Sequence, residues 1–319
     1  MQTSRRTFNA ALASLAMGGA LAACGGSRSK GKNKKLTLGF ISSWTDGVCM
    51  THLTKIQVEK NGYTTELKDL SEPSVLYTGL SKGDIDLYAS AWPEVTHKQY
   101  MDQYGDSIED LGSYYGSAKL TWAVPSYSAM NSIADIPGHA DELDHKIIGI
   151  EDGAGITQIS KEKVQPAYGL DDGTWEVKTS STQAMVTELE KAIDAQKEIV
   201  VTLWHPFWAY NKYDVRDLED PEGALGSGEG LHFLGRKGFT DDFPEVANWL
   251  GSLKLEESQY GELESLVSNY GEGKEDDGIG SGQGEGGHAG PFSAVNREGE
   301  VEQEDRMAWR AHRHVLRPR

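Results

Sequence analysis

The stretch Asp84-Ile85-Asp86-Leu87-Tyr88-Ala89-Ser90-Ala91-Trp92-Pro93-Glu94-Val95-Thr96-His97 decides how the rest of the chain is read. Its first part alternates apolar and polar residues as a short half-buried strand does, and Pro93 forbids continuation of the ladder just after a tryptophan. The strand is therefore expected to stop at Trp92. Proline at the opening of the next segment, with His97 one helical turn on, brings an indole and an imidazole to the carboxyl end of that strand. Open α/β sheets keep their ligands at that end.

Working outward, Leu36 to Ile41 is an apolar run of strand length that ends in Ser42-Ser43-Trp44. Thr45 or Asp46 is expected to cap a helix from Val48 to about Lys60, with Cys49, Leu53 and Ile56 on one face. Tyr63 to Leu70 reads as a second strand, and Glu72-Pro73-Ser74 opens a helix that closes near Gly83. Strand, helix, strand, helix, strand gives a parallel sheet. Further on, Leu120 to Pro125 and Lys146 to Ile150 are strands. The second leads through Asp152-Gly153-Ala154-Gly155-Ile156 into a helix to about Val164, before Pro166. Ser180 and Gln183 form a capping box for a helix through Leu189 and Ile193, and the strand Ile199 to Leu203 ends in Trp204. The chain returns through Leu231 to Leu234, a helix from Phe243 to Leu253 and the segment Leu255 to Tyr270. The expected architecture is α/β, with two lobes hinged about a ligand cleft: residues 36–119 and 214–270 in lobe 1, residues 120–213 in lobe 2.

The ends of the chain read differently. Ser4-Arg5-Arg6-Thr7-Phe8 is a twin-arginine pattern, and the apolar run from Ala10 to Ala23 is too short to span a bilayer as a stable helix. Residues 1–23 are thus an export signal, by the twin-arginine or the general route. Leu21-Ala22-Ala23-Cys24-Gly25 has the pattern of a lipobox, which makes Cys24 the lipidated first residue of the mature chain. Residues 24–35 form a flexible tether. Of the two cysteines only Cys49 then remains, read as a small buried hydrophobe, so no disulfide forms within the mature chain. After Tyr270 the composition turns to glycine and mixed charge, and residues 271–319 are expected to be disordered. A net charge of -18 over 319 residues, with no Lys/Arg stripe in the main body, argues against nucleic acid as a partner.

Three tryptophans, Trp44, Trp92 and Trp204, each follow a strand. A single such indole would be an ordinary core residue. Three at one end of a sheet point to a cage, because indole faces attract a cation that cannot donate hydrogen bonds, above all a quaternary ammonium. For an anionic group on the same ligand there are two sources: the backbone amides of Gly155 and Ile156 at a helix N-terminus, and the ring of His97. Trp122, Trp175 and Trp249 lack the strand-end position and are assigned to packing; Trp208 and His205 fall near the cleft without an assigned role. Enzyme readings fail on context. Gly79-Leu80-Ser81-Lys82-Gly83 matches the letters of a nucleophile elbow, but a helix precedes and a strand follows. No phosphate loop, H-E-x-x-H or paired Cys-His spacing is present, so neither a metal nor another cofactor is expected.

Taken together, Asp84 to His97, Gly149 to Ile156, Ser180 to Met185 and Val200 to Trp204 resemble the glycine betaine/proline betaine substrate-binding proteins of ABC transporters, over about Lys35 to Tyr270. The resemblance implies a periplasmic-binding-protein fold and no catalysed reaction. In that family three tryptophans box the trimethylammonium group, while a histidine and two backbone amides hold the carboxylate. The matching positions are Trp44, Trp92 and Trp204 for the box, His97 for the histidine, and Gly155 with Ile156 for the amides. The implied partners are a betaine ligand and a permease and ATPase on separate chains, for a monomer anchored outside the cell membrane. The alternative is a surface sensor or scavenging binder of choline-type ligands with no transporter. Three departures from the family pattern stand out: Pro93-Glu94-Val95 in place of its usual Leu-Pro turn before Thr-His, His205 ahead of Pro206, and a sequence after Tyr270 that does not match the family's end.

Overall fold

The computed structural model describes residues 34–256, 259–261 and 263–264. The segments expected as export signal and tail, Cys24, and nearly all of the expected tether lie outside them.

The opening strand forms as expected but is shorter. β1 (Lys35–Phe40), β2 (Thr64–Asp69) and β3 (Leu87–Ala91) are parallel, with β1 in the middle. β3 is buried along its whole length, and the chain leaves it at Trp92 for a turn over residues 93–97. The connections are α1 (Thr45–Lys60) and α2 (Pro73–Lys82). α2 opens on Pro73 and ends at Gly83, whose φ of 79° is the left-handed cap that glycine supplies without strain. α1 differs from expectation at its start: the cap position is Trp44, and the helix begins at Thr45. It is also buried nearly all round as far as Val58, including Thr51, His52 and Thr54 beside Cys49, Leu53 and Ile56. A helix wrapped by protein on every side has no one-faced apolar stripe to read.

After α3 (Lys98–Tyr104) comes β4 (Ile108–Pro125), of which only residues 120–125 were expected. Gly112, Ser113 and Gly116 and three register shifts against β9 (Glu229–Arg236) break its alternation. The strand runs unbroken all the same. Its first part, to Ala118, pairs with β9; from Lys119 it pairs with β7 (Val201–His205), and at its end with β8 (Val215–Asp217). β5 (Lys146–Ile148) and β6 (Glu176–Lys178) complete the order β2-β1-β3-β9-β4-β7-β5-β6, with β8 paired to β4 off that path.

The remaining helices are α4 (Gly155–Ile159), α5 (Gln165–Ala167), α6 (Thr182–Asp194), α7 (Ala209–Lys212), α8 (Phe239–Asp242) and α9 (Pro244–Ser252). A π-helical stretch over Ser160–Val164 joins α4 to α5, so the helix runs past its expected end and through Pro166. The cap of α6 is Ser181, whose hydroxyl accepts from the Ala184 amide at 3.2 Å; Ser180 instead donates to the Gly149 carbonyl. A large core extends around β1, β3, β9 and α1 and reaches Leu203; a second, built on Trp122, Val124, Ile133, Ile147 and Val200, fills the far side of β4 and β7. The result is an α/β fold with a mixed parallel and antiparallel sheet path and two hydrophobic cores.

Candidate functional site

Each of the three strand-end tryptophans is carried by a different strand, and each is almost buried. Trp44 follows β1, Trp92 follows β3 and Trp204 lies in β7. All three line one cavity, which is partly open to solvent. His97, Gly155 and Ile156 line it too. The structure therefore brings together all six residues singled out as ligand-contacting. His205 and Trp208 are elsewhere: His205 bonds Asp217 at 3.0 Å and stacks on Tyr210, and Trp208 packs on Phe207 and Tyr213. Ser81 is on α2 with its hydroxyl on the Thr78 carbonyl.

The turn after Trp92 is closed by its own backbone. The His97 amide donates to the Trp92 carbonyl at 2.7 Å, and the Trp92 amide donates to His97 Nδ1 at 3.3 Å. With Tyr77 Oη also 3.1 Å from Nδ1, that nitrogen is an acceptor and the ring proton belongs on Nε2. Burial pushes the imidazole down to about 3, so the ring is neutral at physiological pH. What His97 presents to the cavity is a neutral N-H donor.

Three carboxylates that the sequence did not mark as site residues organise this site. Glu229, at the start of β9, is buried and accepts from the amides of Glu94, Val95 and Thr96 at 3.1, 3.0 and 2.9 Å and from the Thr96 hydroxyl. It fixes the Pro93-Glu94-Val95-Thr96 turn. Asp46, in the first turn of α1, lines the cavity and accepts from Ser90 Oγ at 2.6 Å and Trp92 Nε1 at 3.2 Å. Glu151 accepts from Trp44 Nε1 at 3.3 Å and from the Thr182 amide and hydroxyl. Behind Asp46, Glu264 takes a hydrogen bond from the Thr45 hydroxyl at 2.7 Å; burial and the Asp46 charge push its carboxyl up to about 8. Asp46 is itself raised by burial, against donors from Ser90, Trp92 and the backbone of the first turn of α1.

Gly155 opens α4 against Thr96. A Cβ on Gly155 would lie 2.2 Å from the Thr96 carbonyl oxygen, so only glycine permits this approach between the two turns that flank the cavity. Among the described residues, no cluster of three or more His, Cys, Asp or Glu is placed to hold a metal ion. No helix among them is long and apolar enough to cross a membrane.

This constellation has counterparts in known proteins. Residues 34–277 match the family profile OpuAC, the substrate binding domain of ABC-type glycine betaine transport systems. The chain belongs to the OpuAC family. That family is one of transporter substrate-binding proteins, not of enzymes. The fold of this OpuAC-family chain superposes on glycine/betaine/L-proline-binding protein ProX of Borrelia burgdorferi, with a TM-score of 0.72 and 26% identity, covering 87% of this chain and 92% of that one. It superposes equally on lactococcal OpuAC in its closed form with glycine betaine, with a TM-score of 0.72, 27% identity and coverage of 88% and 95%. A choline-binding protein of an ABC transporter, in complex with choline, gives a TM-score of 0.68 at 28% identity, covering 76% of this chain and 84% of that one. By sequence, the chain is 39% identical over 106 residues to the glycine betaine/carnitine transport binding protein GbuC of Listeria monocytogenes. That stretch is 33% of this chain and 35% of GbuC, about a third of the relative's length.

Proposed function

We propose that this OpuAC-family protein is the extracytoplasmic, ligand-capturing component of an ABC importer, and that it binds glycine betaine or a related quaternary ammonium osmoprotectant. The observation that carries the reading is a single cavity walled by Trp44, Trp92 and Trp204, with a neutral His97 donor and the Gly155-Ile156 helix start on its lining. The indole faces hold the cation, and His97 Nε2 with the two amides holds the carboxylate. Three such faces at ~0.5 to 2 kcal/mol each supply about 1.5 to 6 kcal/mol. Micromolar binding needs ~8 kcal/mol net, so the carboxylate contacts and the burial of methyl groups supply the remainder.

The lobes divide within β4, after Ala118. The return to the first lobe lies between Leu225 and Glu229, because β8 pairs with the far part of β4 and Leu218 and Leu225 join the second core. Lipidation of Cys24 anchors the monomer to the outer face of the cell membrane, where it hands ligand to a permease and ATPase on other chains. Support for the anchor is the ordered signal and lipobox of the sequence.

Calorimetry with glycine betaine tests the cage: Trp92→Ala and Trp204→Ala are each expected to weaken binding about a hundredfold or more. Unchanged affinity in both variants would sink it. A parallel titration with choline, which lacks the carboxylate, tests the other pole; equal affinity for choline and glycine betaine would remove His97 and the Gly155-Ile156 amides from the ligand contacts.

A further inference from the structure

Two of the three cage indoles have a carboxylate on their N-H. Trp92 Nε1 donates to Asp46 and Trp44 Nε1 to Glu151, whereas Trp204 packs on Phe207 with ring centroids 4.2 Å apart. Both carboxylates are held independently of the rings. Asp46 is fixed by Ser90, itself bonded by Tyr114 Oη at 3.0 Å, and Glu151 is fixed by Thr182. An indole that donates to an anion gains electron density on its faces, and Asp46, buried and on the cavity lining, adds its own field there.

We infer that Asp46 and Glu151 are specificity-determining residues: through the N-H groups of Trp92 and Trp44 they make the cage select a cation over a neutral group of the same shape. The inference rests on the cage proposed above. Donors from Ser90, Trp92 and the first turn of α1 oppose the upward push of burial on Asp46, while burial and Asp46 raise the neighbouring Glu264 to about 8. Shape alone does not separate a trimethylammonium from a tert-butyl group, since both offer three methyls in a tetrahedron. A field from the N-H edge of the rings does.

The test compares glycine betaine with tert-butylacetate, its carbon isostere, and choline with its tert-butyl analogue. Competition titrations are run on the full protein, on Asp46→Asn and on Glu151→Gln, with folding checked by circular dichroism. In each variant the preference for cation over isostere is expected to fall about tenfold, with the isostere unchanged or tighter. A purely structural role would weaken both ligands together, so an unchanged preference overturns the assignment of that residue. If Asp46→Asn does not fold, Glu151→Gln decides alone. Trp92→Ala, read with Trp204→Ala, separates the two levels of the argument: if neither loses betaine, the cage and this inference fall together. If either loses betaine while both preferences stand unchanged, only the carboxylate assignment falls.

Discussion

His97 and Glu264 are buried titratable residues whose burial acts on stability with opposite signs. The folded His97 sits near 3 against 6.5 in the unfolded chain. Its contribution is therefore complete above about 6.5 and is lost as pH falls from there toward 3, because the unfolded state takes up the proton first. Glu264 is raised from 4.5 to about 8, so its contribution is complete below 4.5 and is lost as pH rises through 8. Denaturant unfolding across pH should show a maximum between these limbs. His97→Gln is expected to flatten the acid limb and Glu264→Gln the alkaline one; limbs of wild-type steepness in both variants would contradict these environments. The tryptophans and His97 were legible in the sequence because rare residue types stood at or just beyond strand ends, and Gly155 because a glycine-rich turn led from a strand into a helix. Asp46, Glu151 and Glu229 were not, since an acidic residue in a chain of net charge -18 reads as surface until its partners are known.

At the scale of an element, the turn from Trp92 to His97 owes its shape to a residue far along the chain. Glu229 takes three backbone amides and one hydroxyl from it, and that set cannot be satisfied by an amide side chain, whose NH2 would face donors. Glu229→Gln is expected to cost about 2 to 3 kcal/mol in chemical denaturation and to weaken betaine binding by displacing His97. A wild-type denaturation midpoint would show the turn to be self-supporting. This long-range clamp accounts for how Pro93-Glu94-Val95 replaces the more usual family turn while the Trp-to-His spacing is kept. Local sequence gave the strand stop at Trp92 and the Pro73 to Gly83 helix correctly, because both depend on proline and glycine geometry. It missed the first half of β4, where bulges erase the period, and misplaced the α6 cap by one residue, since Ser180 and Ser181 are equally good caps by letter.

At the scale of the whole molecule, the contact between Gly155 and Thr96 sets how closely the two sides of the cavity meet. Gly155→Ala places a methyl group within the radius of a carbonyl oxygen, so the sides must separate. Betaine affinity is expected to fall at least about tenfold with thermal stability nearly unchanged, and small-angle scattering with ligand should retain the ligand-free radius. Compaction equal to that of wild type would show that the approach is not needed. The α/β class and the succession β1-α1-β2-α2-β3 followed from apolar runs with their caps and breakers; the full length of β4, which passes from one set of partners to another within a single strand, did not.

That strand has a further consequence. With one half of β4 laddered to β9 and the other to β7, its residues are structural members of both sheets. Neither sheet can melt without stripping an edge from its neighbour, so heating should give one calorimetric transition, with van't Hoff and calorimetric enthalpies that agree. Amides near Ala118 and Lys119 should exchange with deuterium only through global opening, and a bound ligand should slow them in step with the rest of the molecule.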